Sequence, residues 1–175
     1  MSEVAGNPRR KGEAAVSGVG SLAAFIATGR FCGLGIGSSL AEVDQAVRVD
    51  CIEETDAVSS SLRRDYGLVE VYFAEGPEWA VTGMMLEQHR LAFHPELLAQ
   101  WGDGTGVLLP RHVTWEELRR HLSRTPHPPG LECISQGEYV EYRAAGTRVS
   151  VIVLDGHEEY GDRPRPGDVF SISLG

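Results

Sequence analysis

The sequence predicts an α+β protein made of two related helix-plus-antiparallel-sheet units, able to join into one continuous sheet with helices on one face. Three observations lead there. Val69, Val71 and Phe73 alternate with Leu68, Glu70 and Tyr72, the period of a strand rich in β-formers. Two helix starts carry a cap three residues before a glutamate, Ser39 with Glu42 and Thr114 with Glu117. Short apolar runs separated by Gly and Pro then follow each helix in the same order.

Residues 1–20 read as a flexible N-terminal tail, 21–106 as a first, acidic unit and 107–175 as a second. A short helix is expected near 21–27. Arg9, Arg10 and Lys11 before the uncharged stretch 14–29 resemble the plan of an export signal, but Glu13 and the Ser/Gly dilution argue against it. Cytoplasmic residence is the expectation, with export as the alternative.

In the first unit, Gly33, Gly35 and Gly37 make a turn into a helix whose Leu40, Val43 and Val47 share a face. A strand is expected at 49–53, a polar connection to 61, and one long strand over 62–73. Gly67 reads as a bulge, with Tyr66 closing the core. Residues 75–78 form a turn, 79–91 return as the partner strand, and Pro95 opens a short helix to Trp101. Residues 102–106 read as a linker.

The second unit opens with a helix from Val113 through Leu122. Strands are expected at 131–134, 139–142, 149–154 and 169–174, with a polar loop at 156–167. Set side by side, Ser39-Leu-Ala-Glu-Val faces Thr114-Trp-Glu-Glu-Leu, Val49-Asp-Cys-Ile faces Leu131-Glu-Cys-Ile, and Gly67-Leu-Val-Glu-Val-Tyr faces Gly137-Glu-Tyr-Val-Glu-Tyr. Residues 79–91 face 149–154. The reading is a tandem duplication.

Composition narrows the function. The 175 residues hold 16 Lys+Arg against 25 Asp+Glu, a formal charge of −9, with 42% hydrophobic residues. Such apolar content excludes wholesale disorder, and no apolar run is long enough to span a bilayer. The acidic balance argues against nucleic-acid binding and no membrane contact is expected. The charge is uneven: residues 39–110 hold four basic and thirteen acidic residues, so the whole excess lies there. Arginine outnumbers lysine 15 to 1, a skew that points to GC-rich bacterial coding.

Catalytic patterns are incomplete. The glycine run lacks the third glycine of a dinucleotide fingerprint, and Gly37-Ser38-Ser39-Leu40-Ala41 lacks the last glycine of a nucleophile elbow. Among His89, His94, His112, His121, His127 and His157, no two share metal-ligand spacing on one element. Asp65 and Glu70, placed on one strand and an odd number apart, face opposite sides and make no carboxylate pair. Cys32, Cys51 and Cys133 form no disulfide framework and read as three buried thiols. At least two of Trp79, Trp101 and Trp115 are expected in the core. No cofactor and no metal are expected.

The phrase Ile36-Gly-Ser-Ser-Leu-Ala-Glu-Val, followed by Arg64-Asp-Tyr-Gly-Leu-Val-Glu-Val-Tyr-Phe, resembles the helix-then-sheet units of the β-lactamase-inhibitor-protein and outer-membrane-assembly-lipoprotein group. It also resembles small actinobacterial proteins encoded beside polymorphic toxins as immunity proteins. The resemblance implies a binding module, and the inhibitor is itself a tandem of two such units. The inhibitor group's disulfides have no counterpart here.

The functional expectation is therefore a non-enzymatic inhibitor that occludes a basic protein partner, such as a bacterial toxin. Glu42, Asp44, Asp50, Glu53, Glu54 and Asp56 are the expected partner-binding residues. The alternative is a small-molecule-binding domain or small enzyme with a pocket between sheet and helices, using His89 and nearby acids.

Overall fold

In a computed structural model that describes residues 18–156 and 164–175, the chain runs α1 (Gly18–Thr28), α2 (Leu40–Ala46), β1 (Ile52–Asp56), β2 (Ser61–Asp65), β3 (Val69–Ala74), β4 (Ala80–Leu86), α3 (Arg90–Phe93), α4 (Leu97–Thr105), α5 (Trp115–Leu122), β5 (Leu131–Gln136), β6 (Tyr139–Ala144), β7 (Val149–Leu154) and β8 (Val169–Leu174). The strands form one antiparallel sheet, ordered β1-β2-β3-β4-β8-β7-β6-β5. Each half is a four-stranded meander. The two meanders meet at their last strands, where Met84 pairs with Leu174, Met85 with Ser173 and Leu86 with Ile172. The expected α+β fold with a single sheet is what forms.

Alternation sorts the sheet into two faces. Leu62, Val69, Val71, Phe73, Met84, Leu86, Val149, Val151, Ile172 and Leu174 share one face by register, and all are buried. They join one core with Leu22, Phe25 and Ile26 of α1, Val43 of α2, Trp101 of α4 and Leu118 of α5. Trp101 stacks on Phe31, and Trp115 stacks on Tyr142 at a ring distance of 4.1 Å. The opposite face carries Ser61, Arg63, Asp65, Glu70 and Tyr72, then Ser173, Ser150, Glu141 and Arg143.

Both helix starts are capped, the first by a complete capping box and the second by its threonine alone, so the second box expected with Glu117 does not close. The Ser39 side chain accepts from the Glu42 N–H at 3.2 Å, and the Glu42 carboxylate accepts from the Ser39 N–H at 2.7 Å, completing a capping box. Thr114 accepts from the Glu117 N–H at 3.2 Å. Each start is also tied to the residues that lead into the last strand of its meander. The Leu40 N–H donates to the Trp79 carbonyl (3.0 Å), and the Trp115 N–H to the Gly167 carbonyl (2.9 Å).

Several expectations are corrected. The long strand over 62–73 is a hairpin: the chain reverses at Gly67, which has φ +82°, so it is a turn residue rather than a bulge. Beyond β4 the chain turns, so His89 precedes α3 instead of lying in a buried strand. The supposed linker at 102–106 is the end of α4, closed by Gly106 in the left-handed conformation. The paired motifs 67–72 and 137–142 set β3 against β6, yet these are the third and second strands of their meanders. Likewise 79–91 and 149–154 set a fourth strand, β4, against a third, β7. Cys51 and Cys133 are exposed rather than buried. Residues 18–20 of the expected tail are helical, forming the start of α1; the rest of the tail and His157 lie outside the described residues. Helix α1, assigned by sequence to the first unit, packs on α5. No helix among the described residues is long and apolar enough to cross a membrane.

Candidate functional site

Among the described residues, a dense polar constellation lies on the open face of the first meander. Register places Asp65 directly opposite Glu70, and Arg63 opposite both Tyr72 and Glu54. All five side chains therefore point the same way. Asp65 and Glu70 lie on adjacent strands of a hairpin, so they share a face; the expectation of opposite faces is overturned.

Glu70 is 5% exposed, and three donors hold its carboxylate. Arg63 Nε donates to Oε2 at 3.0 Å, Tyr72 Oη to Oε2 at 2.6 Å, and Arg90 Nη2 to Oε1 at 2.7 Å. Arg90 opens α3, and its Nη1 donates to Asp65 (3.2 Å) and to the Gly67 carbonyl (2.7 Å). Arg63 also reaches Glu54 at 2.8 Å and Asp65 at 3.3 Å. Burial pushes the Glu70 carboxyl up, but the bonds from Arg63, Tyr72 and Arg90 outweigh it and hold the group down at about 2. Burial and the bond to Glu70 push the Tyr72 phenol up to about 12. The network pins β1, β2, β3 and α3 together as one rigid, charged patch.

The six acids singled out by sequence are dispersed around this end of the molecule. Asp44 on α2 and Glu53 on β1 both bind Arg64, at 2.5 and 2.9 Å. Glu54 binds Arg63 on the open face. Asp56 caps the β1–β2 turn, accepting from the Val58 N–H (2.9 Å) and the Ser59 hydroxyl (2.7 Å), which draw its carboxyl below the usual range. Glu42 is held below that range by its bonds from Ser39. Asp50 is exposed in the connection between α2 and β1. Asp44 and Glu53 thus meet at Arg64 on the helix side of the sheet and Glu54 at Arg63 on the open side, while Glu42 and Asp56 serve as caps. The sequence reading missed Arg63, Arg90 and Tyr72. The signal was a change of phase at Gly67, from even-numbered inward residues (Leu62, Arg64, Tyr66) to odd-numbered ones (Val69, Val71, Phe73).

The other candidates resolve into structure. The glycine run ends in the Ser38 and Ser39 turn, where Ser38 Oγ accepts from the Gly35 N–H at 3.2 Å. His89 stacks on Phe170 at a ring distance of 4.0 Å, with Nδ1 lying 3.3 Å from both the Phe170 carbonyl and Glu87. The cavity beside it, lined by Gln88, His112 and Asp168, measures about 10 Å³, space for one water at most. A recess of about 530 Å³ lies at the other end of the sheet beside Glu132, Arg143 and Arg148. Among the described residues no group of three or more His, Cys, Asp or Glu could hold a metal ion.

No family model, curated protein or solved structure matches the chain.

Proposed function

We propose that this chain is a protein-binding module, an immunity-type inhibitor that occludes a basic partner such as a bacterial toxin. The observation that carries the reading is the gathering of α2 and β1 carboxylates at one end of the sheet. There β1 is exposed along its whole length, and Arg63 and Arg64 bind its glutamates. Arg48, Arg63 and Arg64 together cannot neutralise Asp44, Asp50, Glu53, Glu54 and Asp56, so that end presents a negative field. Such a field steers a basic partner and raises its association rate. The arginine-held glutamates are pre-oriented, which lowers the ordering cost of contact.

The same proposal includes a tandem origin for the two halves. What supports it is the matched arrangement of cap-to-last-strand bonds at Leu40 and Trp115. A second support is the irregular register of the last two strands in each meander, at Tyr72/Phe73 and at Ile152/Val153.

The test is co-expression of the chain with the products of neighbouring genes. One basic protein should co-purify with it and lose its toxicity. Reversal of Asp50, Glu53 and Glu54 to Lys should then slow association by tenfold or more at low salt and flatten its salt dependence. An unchanged rate and salt slope in a folded variant would refute docking through these acids.

A further inference from the structure

The two outer edges of the sheet differ in chemistry, and the difference points to a second copy of this chain. The bonds flanking the outermost β6–β7 pair show which way the backbone of β5 turns. The Glu138 carbonyl accepts from the Asp155 N–H at 2.7 Å, which makes Tyr139 and Leu154 a pair without mutual hydrogen bonds. Tyr139, Glu141 and Arg143 therefore direct their N–H and C=O groups toward β5, onto Gln136, Ile134 and Glu132. The bond from the Ala145 N–H to the Gly130 carbonyl (2.8 Å) gives the same phase at the other end. Leu131, Cys133 and Ser135 are left with their backbone groups directed outward, away from the sheet.

The same argument applied to β1 leaves Glu53 and Thr55 outward, since the Glu75 N–H bonds the Ser60 carbonyl at 3.0 Å. Yet β1 is guarded. Antiparallel pairing of β1 with its own copy about Glu53 or Glu54 sets a carboxylate against the identical carboxylate. Strand β5 carries no such guard. Its sequence, Leu-Glu-Cys-Ile-Ser-Gln, holds a single charge and no Pro, Lys or bulge. About a two-fold axis at Cys133, Leu131 pairs with Ser135 of the second copy and Glu132 lies opposite Ile134. No like charges meet.

We propose that β5 is a self-complementary edge through which two copies of this chain join their sheets, antiparallel and centred on Cys133. The interface is isologous, so it closes as a dimer and leaves the acidic β1 edges at the two far ends. The open backbone groups of Leu131, Cys133 and Ser135 then exchange hydrogen bonds with their symmetry partners.

Sedimentation equilibrium of the full chain over a wide range of loading concentrations tests this. Wild type should approach twice the 19.0 kDa chain mass as concentration rises. Cys133→Lys, which sets ammonium against ammonium, should remain at 19.0 kDa with an unchanged far-UV spectrum. Thr55→Lys, on the opposite edge, should dimerise like wild type. A short bismaleimide should join two chains of Cys51→Ser protein through Cys133, a readout that stands even if Cys133→Lys fails to fold. A wild type that stays at 19.0 kDa up to millimolar loading overturns the proposal. A dimer lost in Thr55→Lys and kept in Cys133→Lys overturns it equally.

Discussion

Replacing Glu70 with Gln should destabilise the protein at neutral pH and have progressively less effect as the solution is acidified. The carboxyl drops from an ordinary value of 4.5 to about 2 in the folded chain. At about 1.4 kcal/mol for each tenfold change in acidity constant, that depression contributes about 3 kcal/mol. The sign follows from the direction of the shift. Because the folded group is the stronger acid, its contribution is complete above about 4.5 and is lost as pH falls through about 2. The amide of Glu70→Gln keeps the shape but not the charge, and leaves Arg63 and Arg90 to share Asp65 alone. Urea unfolding of both proteins from pH 7 down to pH 2 measures the effect, and urea leaves the ion pairs unscreened where guanidinium does not. The expected gap is about 3 kcal/mol at pH 7, closing across the acidic window. A gap below about 1 kcal/mol at pH 7, the worth of an ordinary exposed pair, would refute a stabilising role for the network. So would a gap that stays constant with pH.

Three further outcomes follow from packing and chemistry. Leu118→Ala removes a fully buried side chain where α5 meets the core, and chemical denaturation should record a loss of about 2–5 kcal/mol. Gly104→Ala places a methyl against Val49 and within 2.8 Å of the Arg48 carbonyl, so the α2–β1 connection must shift away from α4. Thermal unfolding should report a loss of about 1–3 kcal/mol, whereas Gly102→Ala, with only the Leu108 side chain 3.8 Å away, should be tolerated. Cys51 and Cys133 should react quickly with an aromatic disulfide reagent, while Cys32 reacts only on unfolding. Burial, partly offset by a hydrogen bond with Thr105, pushes the Cys32 thiol up to about 12.

Local chemistry was legible where it was self-contained. The Ser39 box needs only residues three apart, and the strands β3, β4, β7 and β8 bury one face against helices, so their apolar residues carry the period. Strand β1 carried that signal poorly: the strand expected at 49–53 forms three residues later, at Ile52–Asp56. Every residue of Ile52–Asp56 is exposed, and only its ladder to β2 makes it a strand. The α4 end was hidden because Gly102 and Gly104 read as loop, whereas Gly104 is there to let Arg48 and Val49 approach the helix. The hairpin at Gly67 was hidden by composition. The run from Leu62 to Phe73 is strand-like throughout, and only the shift of inward residues from even to odd betrays the reversal.

That one reversal changes what the acidic segment means. Counted along the chain, residues 39–110 carry thirteen acids, and every one looks available to a partner. Folded as a hairpin, the segment turns Asp65 and Glu70 toward Arg63 and Arg90, and Arg63 toward Glu54. Those charges are engaged with one another, and Glu70 lies beneath the surface. A partner approaching this end meets a different set: Asp50, Glu53 and Asp56 along the exposed margin of β1, with Asp44 behind them on Arg64. The two sets make separable demands. Glu70→Gln should lower stability and leave the salt dependence of association intact, because its charge is already matched inside the protein. Reversal of Asp50 and Glu53 should weigh mainly on association, since both are exposed and shape the field a basic partner feels at long range. A partner whose association slowed equally with both changes would place the binding surface on the open face of the sheet rather than along β1.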